Sequence, residues 1–482
     1  MNWRRLPILV LVVAALAALV VVGREAVAPT PPVFSTVAAP WMPALPAPGG
    51  LTSSWFCPGV PASGKDGVGG EIVIANAGST ELDARVSFLA GQGDEVDRAV
   101  TVAPHGREVV DVDEALTADY VSAMVEIDGG GGLVEQRAMH PEGASVAACA
   151  NAPASEWYLS EGFTAEGSVE QLVLSNPYDE STIVDIGFAT EEGSREPSEL
   201  QGYPVPARSV KVIDLAEIAA RDEPEVAIKI VATRGNLVVG RAQVYKGGGR
   251  RGYGVTLAAP ALRDQWWFAN GEKGDGVTER YSIYNPTDED VDVTVVPLGI
   301  PLTDELVTID PVTVPAHQVE TFSPDDVESL PDGRHAMVFS TGGPQSIVVE
   351  QAFTRTIDDR PTTSVLPGAT PRLADGYVAT TWSTAIGPDE PTSDALVVFN
   401  VDNVTTNVTV QAVTPDGIVN VPSLAAIPLP ASGLISIDLT DREVLDRQLI
   451  IRSRSRIFVE RVLPREPGAQ GRTSSWAVPA AS

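Results

Sequence analysis

Leu172-Val173-Leu174-Ser175-Asn176 is a short apolar run closed by an asparagine, and the chain contains four versions of it. The others are Ile72-Val73-Ile74-Ala75-Asn76, Tyr281-Ser282-Ile283-Tyr284-Asn285 and Leu396-Val397-Val398-Phe399-Asn400. Upstream of each stands an aromatic residue: Trp55, Trp157, Trp266 and, more loosely, Tyr377 to Trp382. Ten residues after each asparagine comes a β-branched apolar residue, Val86, Ile186, Val295 or Val410. A proline turn follows at Pro104, Pro206, Pro315 and Pro430. A strand-like segment closes the set at Val134-Glu135-Gln136, Val239-Gly240-Arg241, Val349-Glu350-Gln351 and Val459-Glu460-Arg461. Successive asparagines are 100, 109 and 115 residues apart, and successive prolines 102, 109 and 115. Two markers that drift together mark duplicated structural units.

Inside the units the apolar period is two. Val184, Ile186 and Phe188 alternate with Ile183, Asp185 and Gly187, and the same register recurs at Val291, Val293 and Val295. Such alternation marks strands with one buried face. Each unit offers about seven or eight runs of this kind between Gly, Pro, Asn and Asp turns, the count of a two-sheet antiparallel sandwich of immunoglobulin-like size. A propeller is the alternative, but a unit is about twice the length of a four-stranded blade. Helix is expected only in short stretches such as Asp214 to Ala220. The expected fold is all-β, with immunoglobulin-like β-sandwich repeats at 55–153, 154–263, 264–374 and 375–482. Short, proline-containing connections predict modules stacked stiffly one after another.

The chain of 482 residues is too long for one core and suits several domains. Its net charge of −31, spread along the sequence, argues against nucleic acid and against anionic lipid heads. At the N-terminus, Arg4 and Arg5 precede an uncharged, mostly apolar stretch from Leu6 to Gly23, long enough to cross a bilayer core. The reading is a cytoplasmic tip and single-pass anchor over 1–23, with the bulk of the chain on the extracellular face. A cleaved signal peptide is the rival, with Ala26-Val27-Ala28 before its cut, but Pro29 would follow that cut. Residues 24–54 hold seven prolines and read as a semi-rigid stalk, at most on the order of 95 Å long at about 3.1 Å per residue. Cys57 opens the first unit and Cys149 closes it; a disulfide between them suits an exported protein and would favour folding by about 4 kcal/mol on the chain-entropy model.

The strings Trp157-Tyr158-Leu159-Ser160-Glu161-Gly162 and Trp266-Trp267-Phe268-Ala269-Asn270-Gly271 resemble the opening of a tandem module of actinobacterial exported proteins. Asn176-Pro177 and Asn285-Pro286, Val205-Pro206 and Val314-Pro315, and Val459-Glu460-Arg461 match its later elements. The chain is similar on these residues to the DUF5719 family, which implies an exported or cell-envelope protein and no particular chemistry. The first unit's Trp55-Phe56-Cys57-Pro58-Gly59 and the fourth unit's opening depart from the pattern.

Candidate sites are few. Trp157, Tyr158, Trp266 and Trp267 are candidates for glycan stacking, against a core or inter-domain role for each ring. The recurrent asparagine reads as a turn former whose side chain bonds its own backbone two residues on. Glu135, Glu350 and Glu460 need partners if they point inward. Acidic clusters such as Asp288 to Asp292 lack the spacing of a calcium loop. No metal site or cofactor is expected, and no enzymatic motif is present in the sequence. The expected role is structural or interactive, toward cell-wall glycan or other envelope proteins. A carbohydrate-binding protein using exposed Trp and Tyr is the alternative, followed by a glycoside hydrolase with one divergent domain.

Overall fold

Eight strands build the first module. They are β1 (Pro48–Ala62), β2 (Gly69–Ala75), β3 (Leu82–Leu89), β4 (Glu95–Val102), β5 (Arg107–Asp111), β6 (Ala118–Gly130), β7 (Leu133–His140) and β8 (Gly143–Ala148). One sheet has the order β1-β6-β3-β4 and the facing sheet β5-β2-β7-β8, both antiparallel. The other three modules repeat both orders, from first strands Glu156–Leu159, Gln265–Lys273 and Thr381–Thr384 to eighth strands Gly252–Leu257, Arg360–Pro367 and Arg472–Trp476. In the second and fourth modules the strand equivalent to β4 is split into two short pieces. This computed structural model describes residues 42–482 except 219, 301–306, 345, 374–375, 378, 465–471 and 481–482. The expected anchor and the stalk up to residue 41 lie outside the described residues. Among the described residues no helix is long and apolar enough to cross a membrane.

The all-β expectation holds, and its local logic is visible in burial. Val184, Ile186 and Phe188 are buried while Ile183, Asp185 and Gly187 between them are only partly so. The second strands do not alternate: Leu172 through Asn176 are all buried. One face of such a strand meets its own module's core and the other meets the neighbouring module, so both faces select apolar residues. Among the described residues the α-helices are single turns, Val112–Ala115 and Leu215–Ile218, each following a fifth strand.

Each recurrent asparagine is a buried staple. Asn176 Nδ2 donates to the carbonyls of Glu180, Val205 and Pro206 at 2.8, 3.2 and 3.0 Å, and its Oδ1 accepts from Tyr178 N at 3.0 Å. Asn76, Asn285 and Asn400 tie the same turn to the end of the fourth strand. The bond to the backbone two residues on is the one the sequence predicts. The proline alignment shifts, however. Ala103, not Pro104, takes the place of Pro206 under the asparagine. The residue two further on carries positive φ in every module: His105 at 52°, Arg208 at 50°, His317 at 58° and Ser432 at 45°.

After its eighth strand each module returns to its own first strand. Ala150 bridges Phe56, Ala259 bridges Tyr158, Ala369 bridges Trp267, and Ala480 N donates to Thr381 O. This return places Cys149 beside Cys57, and the two form a disulfide with Cα atoms 4.4 Å apart.

The modules do not form an open stack. The eighth strands of consecutive modules lie side by side, and that of the fourth lies against β8 of the first. Four modules therefore close into a ring, with a mostly apolar cavity of about 60 Å³ on its axis lined by all four eighth strands, including Val146, Val255, Val365 and Trp476. Stacking would leave two terminal faces uncovered, whereas closure covers both. The last part of the expected stalk also belongs to this body. Met42 is buried, Leu45 N donates to Pro479 O at 2.7 Å, and β1 begins at Pro48, so the two ends of the ring are clasped together.

Candidate functional site

The chemistry of this chain is concentrated at the four junctions between modules. Two kinds of residue recur there: the one after the core tryptophan, and the carboxylate in the seventh strand. Trp55, Trp157, Trp266 and Trp382 are fully buried in their own modules. Trp157 Nε1 donates to Ala154 O and Leu237 O, and Trp382 Nε1 to Ala379 O, which makes Trp382 the fourth unit's equivalent.

The next residue points to the opposite face of the strand, toward the following module. In the first three modules it is aromatic: Phe56, Tyr158 and Trp267. Tyr158 is buried, with Tyr284 of the third module near it. Trp267 lies between Phe399 and Phe458 of the fourth module, ring centroids 5.9 and 5.7 Å away. The candidate stacking residues Trp157, Tyr158, Trp266 and Trp267 are thus not surface platforms. The first three are buried, and Trp267 is covered by the neighbouring module's rings. The alternation argument separates the pairs correctly, but the outward face is the junction rather than solvent.

The seventh-strand carboxylates also reach across junctions. Glu350 of the third module accepts Arg241 of the second at 3.1 and 3.3 Å, and the backbone N–H groups of Ser160 and Glu161 at 2.7 and 2.8 Å. Glu135 of the first module takes Arg461 of the fourth at 3.0 and 3.1 Å, and Ala385 N at 3.2 Å. Ala385 stands where Ser160 does, so the ring closes through the same lock that holds its second and third modules. Between the third and fourth modules Gln351 replaces the arginine, and Glu460 accepts Asn270 Nδ2 at 3.1 Å. Burial pushes Glu460 up to about 8.

Between the first and second modules the pair is gone. Gly240 replaces the glutamate, and a Cβ there would lie 2.6 Å from the Pro58 ring. Pro58 has no N–H to offer a carboxylate, so the loss of the acid and the presence of the proline belong together.

Around these locks lie further buried acids. Glu170, fully buried, is held well above the ordinary carboxylate range by desolvation, with Arg241 3.9 Å away opposing the shift. Gly162 makes room for it, since a Cβ there would sit 2.2 Å from a Glu170 oxygen. The first module solves the same contact in reverse, with Gly70 giving way to Val60. In the third module Glu279 faces His335 Nε2 at 3.0 Å. Burial works against the charged imidazole, but the Glu279 carboxylate outweighs it and holds the His335 pKa above its ordinary value. These carboxylates sit in packed junctions with no room for a sugar ring. Among the described residues no group of His, Cys, Asp and Glu is arranged to hold a metal ion.

The fourth junction lacks an aromatic key. Ser383 stands where Phe56, Tyr158 and Trp267 stand, and the positions equivalent to Phe399 and Phe458 are Ala75 and Leu133. All three are buried, beneath a cleft of about 440 Å³ at the seam between the fourth and first modules. Its remaining walls include Leu45, the glycine run Gly129 to Gly132, and Ile450.

A family model described as "Family of unknown function (DUF5719)" covers 137–261, from the seventh strand of the first module to the end of the second. Residues 137–261 match DUF5719. The DUF5719 stretch includes Trp157-Tyr158, Asn176, Val205-Pro206 and Arg241, so the resemblance read from these motifs is borne out there. No curated protein matches the chain. Of solved structures, the one described as "Thermotoga maritima 1070" is 16% identical, covering 22% of this chain and 93% of that one with a TM-score of 0.19. A "tetra-tandem repeat in extending region of large adhesion protein" is 14% identical, covering 84% and 94%, with a TM-score of 0.10. At these scores neither likeness bears on this chain's fold or role.

Proposed function

We propose that this chain is a non-enzymatic protein of the cell envelope, held at the membrane by the apolar segment Leu6 to Gly23. In this reading the ring stands on the outer face as an interaction platform toward cell-wall glycan or other envelope proteins. The observation that carries it is the closed ring itself. Its buried glutamates are committed to holding modules together, and closure gives a rigid body whose outer loops are all presented at once. Carbohydrate binding through the four aromatic candidates loses its support, because none offers a free face. The hydrolase reading gains none, because the carboxylates drawn together at the junctions are sealed from solvent.

The test is fractionation of cells expressing the full chain, followed by sedimentation of the purified protein with insoluble cell wall and by cross-linking in intact cells. The expected result is a membrane-associated, surface-accessible protein retained by wall material or cross-linked to an envelope protein, with no sugar released from the wall. Recovery of the intact chain in the soluble cytoplasmic fraction would sink the proposal.

A further inference from the structure

We infer that the outer edge of β4, in the first module, takes up an extended basic segment of a partner protein as an added strand. Ala90 N donates to Asp94 O at 2.9 Å, and bonded pairs alternate along an antiparallel ladder. In the register Phe88 with Val96, Val86 with Arg98 and Ala84 with Val100, these are therefore the pairs bonded to β3. The backbone N–H and C=O groups of Glu95, Asp97, Ala99 and Thr101 turn the other way, and among the described residues no strand pairs with them. Asp97, Ala99 and Thr101 are exposed, and Val96 and Val100 between them are only half-buried.

The equivalent edges of the other modules are guarded. In the second, Gly193–Arg195 and Tyr203–Val205 are parted by a turn, with Pro197 and Pro204 in the segment. In the fourth, Gly417–Asn420 and Ile427–Leu429 are parted in the same way, with Pro422 and Pro428. The described edge piece of the third, Val312–Val314, has three residues and follows Pro311. Interruption and proline keep a sheet edge from pairing. By contrast β4 runs for eight residues with neither proline nor glycine. Such an edge bonds an extended backbone, and the side chains beside it select which one. On the solvent face, Glu95 is engaged by Arg208 of the second module, whereas Asp97 is bonded to the Ser87 hydroxyl and has no ion pair among the described residues. Arg98 belongs to the opposite face and donates to Glu114 O at 2.8 Å, and Arg85 of β3 is taken by Glu126. A lysine or arginine opposite Asp97 complements that carboxylate, and apolar residues alternating with it cover Val96 and Val100. Pairing two β4 edges would instead bring together two chains of net charge −31. The edge is separate from wall binding and does not depend on where in the cell the chain stands.

The experiment uses the full chain and capped, fluorescein-labelled nonapeptides that alternate valine with lysine or valine with glutamate, followed by fluorescence anisotropy. The lysine peptide is expected to bind at least tenfold more tightly than the glutamate peptide. Ala99→Pro removes an outward N–H while leaving the bonds to β3 in place, and should weaken lysine-peptide binding at least tenfold. Asp97→Lys should cut the preference for lysine over glutamate at least tenfold, and it provides a reading if Ala99→Pro does not fold. Attraction by net charge alone would survive both changes. Lysine-peptide binding that is absent, or unchanged in either folded variant, would overturn the site. So would a dimer of the chain, seen by sedimentation, that Ala99→Pro dissolves, because the occupant would then be a second copy.

Discussion

On one flank of the fourth module Trp267 is packed between Phe399 and Phe458; on the other flank the same three positions hold Ser383, Ala75 and Leu133. The polar parts are exchanged in the opposite sense. The aromatic flank has Gln351 and a glutamate, Glu460, pushed toward neutrality, whereas the open flank has the charged pair Glu135 and Arg461. On these two flanks apolar cover and ionic pairing are exchanged, whereas the junction of the second and third modules carries both Tyr158 and the Glu350–Arg241 pair. Where the aromatic key is present, the cores of the third and fourth modules merge into one apolar cluster. At the seam, the first module's cluster, which also takes Ala242, Tyr253 and Val255 from the second module, receives from the fourth only Ala385, Val478 and Ile386. The third flank variant, Gly240 against Pro58, shows that a junction holds without either a carboxylate or an arginine.

The largest effect is expected where the seam depends on its ion pair. Arg461→Ala leaves Glu135 buried without its counter-charge and should destabilise the protein by about 3–5 kcal/mol. Urea unfolding would measure it, and the double variant Glu135→Gln with Arg461→Met should recover most of the loss. An equal loss in single and double variants would mean that packing of the arginine stem, rather than its charge, holds the seam. Next comes Trp267→Ser, which copies the seam's residue onto the aromatic flank. Removing a partly buried indole there should cost about 2–4 kcal/mol and leave a cavity between the two modules. If the variant is as stable as the parent, the aromatic key is not what joins the third and fourth cores.

Much of this architecture was legible from period and spacing. The recurrent asparagines predicted a side-chain bond to the backbone two residues on, and Asn176 makes that bond; the alternation of Val184, Ile186 and Phe188 predicted the strands. What the spacing hid is everything that crosses between modules. Glu350 and Arg241 are 109 residues apart and Glu135 and Arg461 are 326 apart, and no local pattern joins them. The clue lay in a comparison down the repeats: the position that is glutamate in three units is glycine in the second, and the unit before it carries proline in the strand that would have donated to it. Ring closure left a similar trace, since an open row would need two capping modules with polar end faces. Trp157 and Trp266 were ambiguous for another reason: an aromatic residue suits both an exposed sugar site and a buried core, and only burial separates the two.

A smaller effect isolates the electrostatics of the aromatic flank. The Glu460 pKa is raised from 4.5 to about 8 in the folded chain. Between those values the folded state holds a proton that the unfolded chain has released, so stability falls as pH rises through that window and is level above it. Glu460→Gln keeps an acceptor for Asn270 and removes the titration. It should be neutral near pH 4.5 and stabilising by about 1–3 kcal/mol at pH 9, read from thermal unfolding at each pH. The nearby Glu279 carboxylate is one of the charges that raise Glu460, so the substitution also relieves that repulsion. A gain that does not grow with pH would place the origin in packing instead. The smallest effect belongs to the seam's outer pair, Arg107 with Asp446 at 2.5 Å, whose carboxylate side chain is 63% exposed. Arg107→Ala should cost under about 1 kcal/mol and less at high salt, because solvent screens such a pair and holding it costs side-chain entropy. Set beside Arg461→Ala, that difference assigns closure of the ring to the buried lock: the same two modules are bridged by both pairs, and only the one removed from water leaves an uncompensated charge behind when it is cut.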